Sequence, residues 1–244
     1  MIVNRSLGVN IDHIATLRQV RGTRYPEVIH AAGICEIAGA QGITAHLRED
    51  RRHIQDRDIR LLKETITTRL NLEMAVVESI CHIAADIQPY MCTLVPEKRE
   101  ELTTEGGLDV LAQFKSIKRW TSFLLERGIR VSLFIDPDLN QIDAAARMEV
   151  PFIELHTGTY CNLEHNPEKQ IQEQTRIQIA AAYANQHNIR VNAGHGLNYH
   201  NIIPIASIHQ LEEFNIGHAI VSHALFVGLE RAVREMNELI QLRE

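Results

Sequence analysis

Short apolar and β-branched runs recur along the chain, each bounded by turn residues and followed by a longer stretch in which apolar positions return every third or fourth residue. The short runs have the length and residue types of strands, and the longer ones have the one-sided spacing of helices. Eight strands are predicted: LGVNI (7–11), GITAH (42–46), LNLEMA (70–75), YMCTLV (90–95), IRVSLFI (129–135), FIELH (152–156), IRVNA (189–193) and FNIG (214–217). Between and after them, Leu139, Ile142, Ala145 and Ala146 trace one apolar helix face, and Leu225, Leu229, Val233, Met236 and Ile240 trace another. Pro26, after Tyr25, suits the first turn of the first helix, which Gly39 and Gly42 end.

Strands alternating with helices imply a parallel sheet, and eight such units in 244 residues favour closure into a (β/α)8 TIM barrel over an open, doubly wound sheet. No Pro/Gly/Ser-rich linker or composition break divides the chain, so residues 1–244 are read as one domain with extra helical insertions. Two connections are long. Residues 46–60 are dense in charge, and residues 96–128 contain TTEGG and an amphipathic segment from Leu108 to Arg127 with Trp120. Insertions of this kind serve as lids, specificity loops or subunit contacts, although a segment like the second also suits ordinary packing on a barrel.

Composition narrows the classes. With 45% hydrophobic and 23% charged residues the chain can bury a sizeable core, and neither disorder nor a coiled coil is expected. The opening MIVNRSLGVNIDHIATL has no secretory signal pattern, and no stretch approaches a membrane span, so a cytoplasmic protein is expected. Cys35, Cys81, Cys92 and Cys161 form no CxxC pair and are expected to be reduced and structural. A net charge of -6 argues against general nucleic-acid binding, yet 20 of the 25 basic residues are Arg, the better fork for phosphate or carboxylate.

Barrel enzymes carry their reacting groups at the C-terminal ends of the strands, and here those ends are crowded with polar side chains. In order they offer Asn10, Asp12 and His13; His46; Glu73; Glu97 after Pro96; Asp136; Glu154 and His156; Asn192, Gly194, His195 and Gly196; and Gly217 and His218. One such residue is commonly a helix cap, but helix capping does not require a histidine or carboxylate at nearly every strand end. Glu73 interrupts an apolar run, where it is either a structural ion-pair partner or a carboxyl whose pKa burial raises for proton transfer. The loops NAGHGL and NIGHAI put Gly194, Gly196 and Gly217 where barrels bind phosphate on backbone N–H groups; tight turns would explain the same glycines. In HLREDRRHIQDRDIR, Arg48 lies two residues past His46 and on the same side of an extended chain, while the rest reads as a solvated, mutually paired surface. Arg18 and Arg21 in the first loop offer a similar choice.

A Schiff-base aldolase needs a strand lysine, and Lys63, Lys98, Lys115, Lys118 and Lys169 all fall in helices or loops. His46, Glu73 and His195 could hold a divalent ion, although no HxH or HExxH motif supports it. What remains is general acid/base catalysis on a phosphorylated small molecule. Residue types and spacing reach no further, and another phospho-sugar barrel enzyme, such as an isomerase, or a non-catalytic ligand-binding barrel stays open.

The strings GVNIDHIATLR, GITAHLREDRRHIQDRD, NLEMA, LVPEKREELTTEGGLDV, VSLFIDPD, FIELHTG, VNAGHGLNYHN and NIGHAI together closely resemble the pyridoxine 5'-phosphate synthase family, in the expected order across residues 8–220. The resemblance implies condensation of 3-amino-2-oxopropyl phosphate with 1-deoxy-D-xylulose 5-phosphate to pyridoxine 5'-phosphate, phosphate and water, with no metal or organic cofactor, on a barrel that assembles as an octamer. It implies that His46 and Glu73 accept protons, that His195 donates one and that Glu154 assists the transition state. It assigns Asn10, Arg21, Gly196, Gly217 and His218 to the amino-ketone phosphate. To the pentulose phosphate it assigns Asp12, His13, Arg48, His53 and Thr103. Ala45, before His46, stands where a β-branched residue is expected, a change of strand packing rather than of chemistry.

Overall fold

Each of the eight predicted strands forms, and each pairs in parallel with its neighbours until the last closes on the first. The structure is a computed structural model that describes residues 5–97 and 106–241. β1 (Ser6–Asn10) is followed by α1 (Asp12–Arg21) and α2 (Val28–Ile37), β2 (Gly42–His46) by α3 (Asp56–Thr65), and β3 (Arg69–Met74) by α4 (Glu78–Ile87). β4 (Met91–Leu94) leads to α5 (Phe114–Leu125), β5 (Arg130–Ile135) to α6 (Leu139–Arg147), and β6 (Phe152–His156) to α7 (Gly158–Cys161) and α8 (Pro167–Gln186). β7 (Arg190–Gly194) precedes α9 (Ile202–Ala206), and β8 (Leu211–Ile216) precedes α10 (His218–Val227) and α11 (Leu229–Gln241). Closure sets Gly8 of β1 opposite Asn215 of β8 and opposite Gly42 of β2.

The period-two alternation of the strands gives the wall two unlike faces. Leu7, Val9, Ile43, Leu72, Leu133 and Val191 are fully buried between strands and helices, each contributing about 1.5–3 kcal/mol of apolar burial. The alternate residues fill the barrel axis: Thr44, Asn71, Thr93, Ser132, Glu154, Asn192 and Asn215 are also buried. Branched apolar layers are the common filling of such barrels. A polar filling costs free energy unless its groups bond to one another.

The helices depart from expectation in four places. Residues 12–21, expected as loop, form α1, which stops at Gly22 in the left-handed region (φ 62). Arg18, on that helix, pairs with the buried Asp58 through bonds of 2.9 and 2.6 Å and so braces α1 against α3. Pro26 precedes α2 instead of lying in its first turn; Glu27 is the N-cap. The last apolar face is broken by Gly228 (φ 85), which ends α10, and Leu225 is 71% exposed. The segment from Leu108 is helical only from Phe114, where Ile117, Trp120 and Leu124 are buried in the fold itself. The four cysteines are free and buried, and burial pushes the Cys35, Cys81 and Cys161 thiols up to about 12, which makes them inert at neutral pH. Among the described residues no helix is long and apolar enough to cross a membrane.

Candidate active site

A cavity of about 760 Å³ opens where the strands end. Twelve of the fourteen expected site residues line it: Asn10, Asp12, His13, His46, Arg48, His53, Glu73, Glu154, His195, Gly196, Gly217 and His218. Arg21 does not. It is the exposed last residue of α1 and is not among the lining residues. Thr103 lies outside the described residues. Gly194, expected in a phosphate cradle, serves a side chain instead: a Cβ there would come 2.2 Å from Glu154 Oε1.

The first strand organises the acidic side of the cavity. Asn10 Nδ2 donates to Asp12 Oδ2 at 3.0 Å and to Glu73 Oε2 at 3.4 Å, and its Oδ1 accepts the Asp12 backbone N–H. Asp12 Oδ1 accepts the backbone N–H of His46 at 2.9 Å, tying β1 to β2. The His46 ring meets a residue to which the motifs assign no role: Glu97 Oε1 lies 2.8 Å from Nε2, and Glu97 Oε2 accepts the Glu49 N–H. A proton held between Nε2 and this carboxylate leaves Nδ1 free to accept one. Burial alone would raise the Glu97 carboxyl, but its bonds to His46 and Glu49 and the nearby Arg48 together hold it below the usual range. Its sequence signal was its place at the end of a strand; the partner becomes visible only when β2 and β4 stand in one barrel.

Two carboxyl groups are pushed upward by the site. Burial, with the charges of Glu154 and Asp12, pushes Glu73 well above the usual carboxylate range. Burial pushes Glu154 up to about 8, against the pull of a 2.7 Å bond donated by Asn215. His195 goes the opposite way: burial, reinforced by the neighbouring His156 ring 5.2 Å away, lowers it to about 4. Its backbone has φ 79, held there by the Thr157 hydroxyl on its carbonyl at 2.6 Å, in a conformation that costs a non-glycine residue on the order of 1–3 kcal/mol. His156 in turn bonds Asp136 at 2.9 Å.

The remaining wall suits anions. Gly217 stands at the N-terminus of α10, so close to Asn10 that a Cβ would come 2.9 Å from its backbone oxygen, and the helix start turns free N–H groups on the cavity. Gly196 (φ 81) faces the same space. His13 and His218 pack with ring centroids 4.9 Å apart, and burial and His218 lower His13. Arg48, His53 and Arg52 form a second basic group, which Arg52 joins from the charge run expected to be solvated. Asp12, His46 and Glu73 bring potential ligand atoms within 4.8 Å of one another, so the group able to hold a cation includes Asp12 in place of the expected His195.

The family model for "Pyridoxal phosphate biosynthesis protein PdxJ" matches residues 7–242. The chain belongs to this family. It is 59% identical over 241 residues to a pyridoxine 5'-phosphate synthase of Photobacterium profundum, covering 98% of this chain and 99% of that one. It is 57% identical over 234 residues to that of Colwellia psychrerythraea, covering 96% and 95%. Among solved structures, KGPDC from Streptococcus mutans (TM-score 0.62, 12% identity, 97% of each chain) is similar. So is a phosphoribosylanthranilate isomerase of Thermotoga maritima (TM-score 0.57, 12% identity, 97% of this chain and 98% of that one). At that identity these two likenesses show the barrel and nothing more of this PdxJ-family member.

Proposed function

We propose that this PdxJ-family chain is a pyridoxine 5'-phosphate synthase that condenses 3-amino-2-oxopropyl phosphate with 1-deoxy-D-xylulose 5-phosphate, releasing phosphate and water, on one barrel domain. The observation that carries the reading is the convergence of His46, Glu73, Glu154 and His195 on one cavity whose wall also holds Gly196 and Gly217 on one side and Arg48, Arg52 and His53 on another. Amine and ketone lose water to form an imine, carbons lose and regain protons, and the pentulose phosphate departs before the ring becomes aromatic. These steps need groups that hold protons and groups that take them at the same pH. Glu154, titrating at about 8, is a carboxylic acid at neutrality and can protonate a departing oxygen. His46, with Nε2 bound to Glu97, takes a proton at Nδ1. His195 is neutral above about pH 4 and donates through its N–H rather than as a standing cation. Gly196, Gly217 and His218 would hold one phosphate, and Arg48 with His53 the other.

The test supplies both substrates to the purified protein and follows the pyridine chromophore together with phosphate. Matched formation of the two is expected; a folded protein that makes no pyridine product overturns the reading. The same reading makes the chain a cytoplasmic homo-oligomer, an octamer by family resemblance. Exposed apolar side chains support the assembly: Leu17 and Val20 on α1, 49% and 77% exposed, and Leu225 and Phe226 on the adjoining α10, 71% and 87% exposed. Replacing Phe226 by Arg is expected to shift the assembly to smaller species in sedimentation.

A further inference from the structure

Glu154 receives a bond whose direction is set elsewhere in the barrel. Thr93 Oγ1 donates to Asn71 Oδ1 at 2.8 Å, Asn71 Nδ2 to Thr44 Oγ1 at 3.5 Å, and Thr44 Oγ1 to Asn215 Oδ1 at 2.9 Å. Asn215 Nδ2 then donates to Glu154 Oε2 at 2.7 Å. The chain of four bonds crosses β4, β3, β2, β8 and β6, is buried throughout, and points one way. A hydroxyl has one proton, so Thr44 cannot serve Asn215 and Asn71 as a donor at once. Accepting a hydrogen bond from Asn71 is what leaves its own proton for Asn215. An asparagine amide with its oxygen held in this way has only its N–H₂ end for the carboxyl beyond.

We propose that Asn215 is a positioning residue for Glu154, locked by Thr44 so that its amide always occupies Oε2 and leaves Oε1 as the oxygen that carries the mobile proton. Without the lock the amide could turn its carbonyl toward Glu154 and draw the proton onto Oε2, on the wrong side of the carboxyl. The backbone has been cleared for the arrangement: a Cβ at Gly8 would fall 2.1 Å from Asn215 Oδ1, and one at Gly194 2.2 Å from Glu154 Oε1. Both Asn215 and Glu154 also line the cavity, so the fixed carboxyl is presented to whatever is bound there. Ser132, by contrast, is buried in the same barrel interior with an Oγ that has no hydrogen-bond partner, so a polar interior residue does not by itself join the chain.

The inference rests on the proposed role of Glu154, and one readout does not need turnover. Protein carrying ¹³C in its glutamate carboxyls is titrated by NMR, with the Glu154 signal assigned by its loss in Glu154→Gln. Thr44→Val is expected to move the Glu154 midpoint upward, because the amide no longer reliably donates to the ionised form. Thr44→Ser should restore the midpoint, and Ser132→Ala should leave it in place. In the two-substrate assay Thr44→Val should lower kcat about three- to tenfold, the effect of one hydrogen bond, with little change in KM. Asn215→Leu should lower it further, and adding Thr44→Val to Asn215→Leu should cost nothing more. An unchanged Glu154 midpoint in folded Thr44→Val, or equal effects of Thr44→Val and Thr44→Ser, overturns the proposal. Failure of the wild type to make product, with the midpoints shifting as expected, would instead count against the synthase reading alone. If Thr44→Val does not fold, Thr93→Val tests the same chain from its far end, and an unmoved midpoint there overturns it equally.

Discussion

Along β3, Leu70, Leu72 and Met74 are buried toward the helices, while Asn71 and Glu73 point into the barrel. The two faces belong to the same six residues and obey different rules. On the outer face the free energy is apolar area and close packing, which adds up residue by residue and tolerates exchange among similar side chains. Inside, each polar group depends on a particular neighbour, so that Glu154 is tied to Asn215, Asn215 to Thr44 and Thr44 to Asn71. Such a lining is paid for by the outer face and returns reactivity, because the same desolvation that destabilises the Glu73 and Glu154 carboxylates raises them into the range of proton transfer. A strand that alternates between these rules can keep its fold while its chemistry is changed, and the reverse.

Glu73→Gln should separate the two faces most sharply. Removal of the proton-transfer group is expected to lower kcat by about 10²–10⁴-fold, while the melting temperature stays level or rises, because a carboxyl whose ionisation burial, Glu154 and Asp12 all oppose has been replaced by an amide that cannot ionise. A melting temperature that falls together with kcat would mean that the inner face also holds the fold. Leu72→Ala is the mirror experiment. It should cost about 2–5 kcal/mol in urea unfolding and leave kcat of the folded enzyme within about twofold, since Leu72 lies on the face away from the cavity. Loss of turnover in a folded Leu72→Ala would show that the wall transmits packing changes to the lining.

The outer face was the legible one. Its alternation with helical segments gives all eight strands, with ends displaced by a few residues, and closure of the barrel follows from their number. Interruption of an apolar run marked Glu73, and a place among the polar strand-end residues marked Glu154; Asn215 also interrupts an apolar strand, but a side chain that serves another shows its purpose only when β2, β6 and β8 are brought together. Glu97 was visible at a strand end and invisible as the partner of His46 for the same reason. Helix boundaries were obscured by residues with other duties: α1 opens on Asp12 and His13, both cavity-lining, and its polar surface hid its period. Apolar spacing of three and four also ran unbroken across Gly228, although the chain turns there. Arg21 closes α1 and is not in the cavity lining, and a position along a helix is not something that motif similarity contains.

A smaller effect is expected where the two faces meet the histidines. Glu97→Gln keeps the shape beside His46 but removes the carboxylate that bonds its ring, so kcat should fall about tenfold and KM little. An unchanged kcat in folded Glu97→Gln would mean that the carboxylate at His46 Nε2 does not assist proton transfer.

The smallest effect concerns stability against pH. His195 has a folded value of about 4, below its ordinary value, so between pH 6.5 and 4 the unfolded chain binds a proton that the folded chain refuses. Its contribution is therefore fully present above pH 6.5 and is lost as the pH falls toward 4, and His13 and His53, also lowered by burial, act in the same direction. One histidine can add at most about 1.4 kcal/mol per pH unit to this slope, and less where the cavity admits water. His195→Asn, a residue that tolerates positive φ, should make the slope of unfolding free energy shallower over that interval. Leu72→Ala should lower the whole curve without changing its slope, since no proton binds on the outer face. The difference between the two variants cancels the carboxylates, which titrate in both. Equal slopes in His195→Asn and the parent protein would remove the buried neutral imidazole from the description of the site and leave desolvation of the inner face to the carboxyl groups alone.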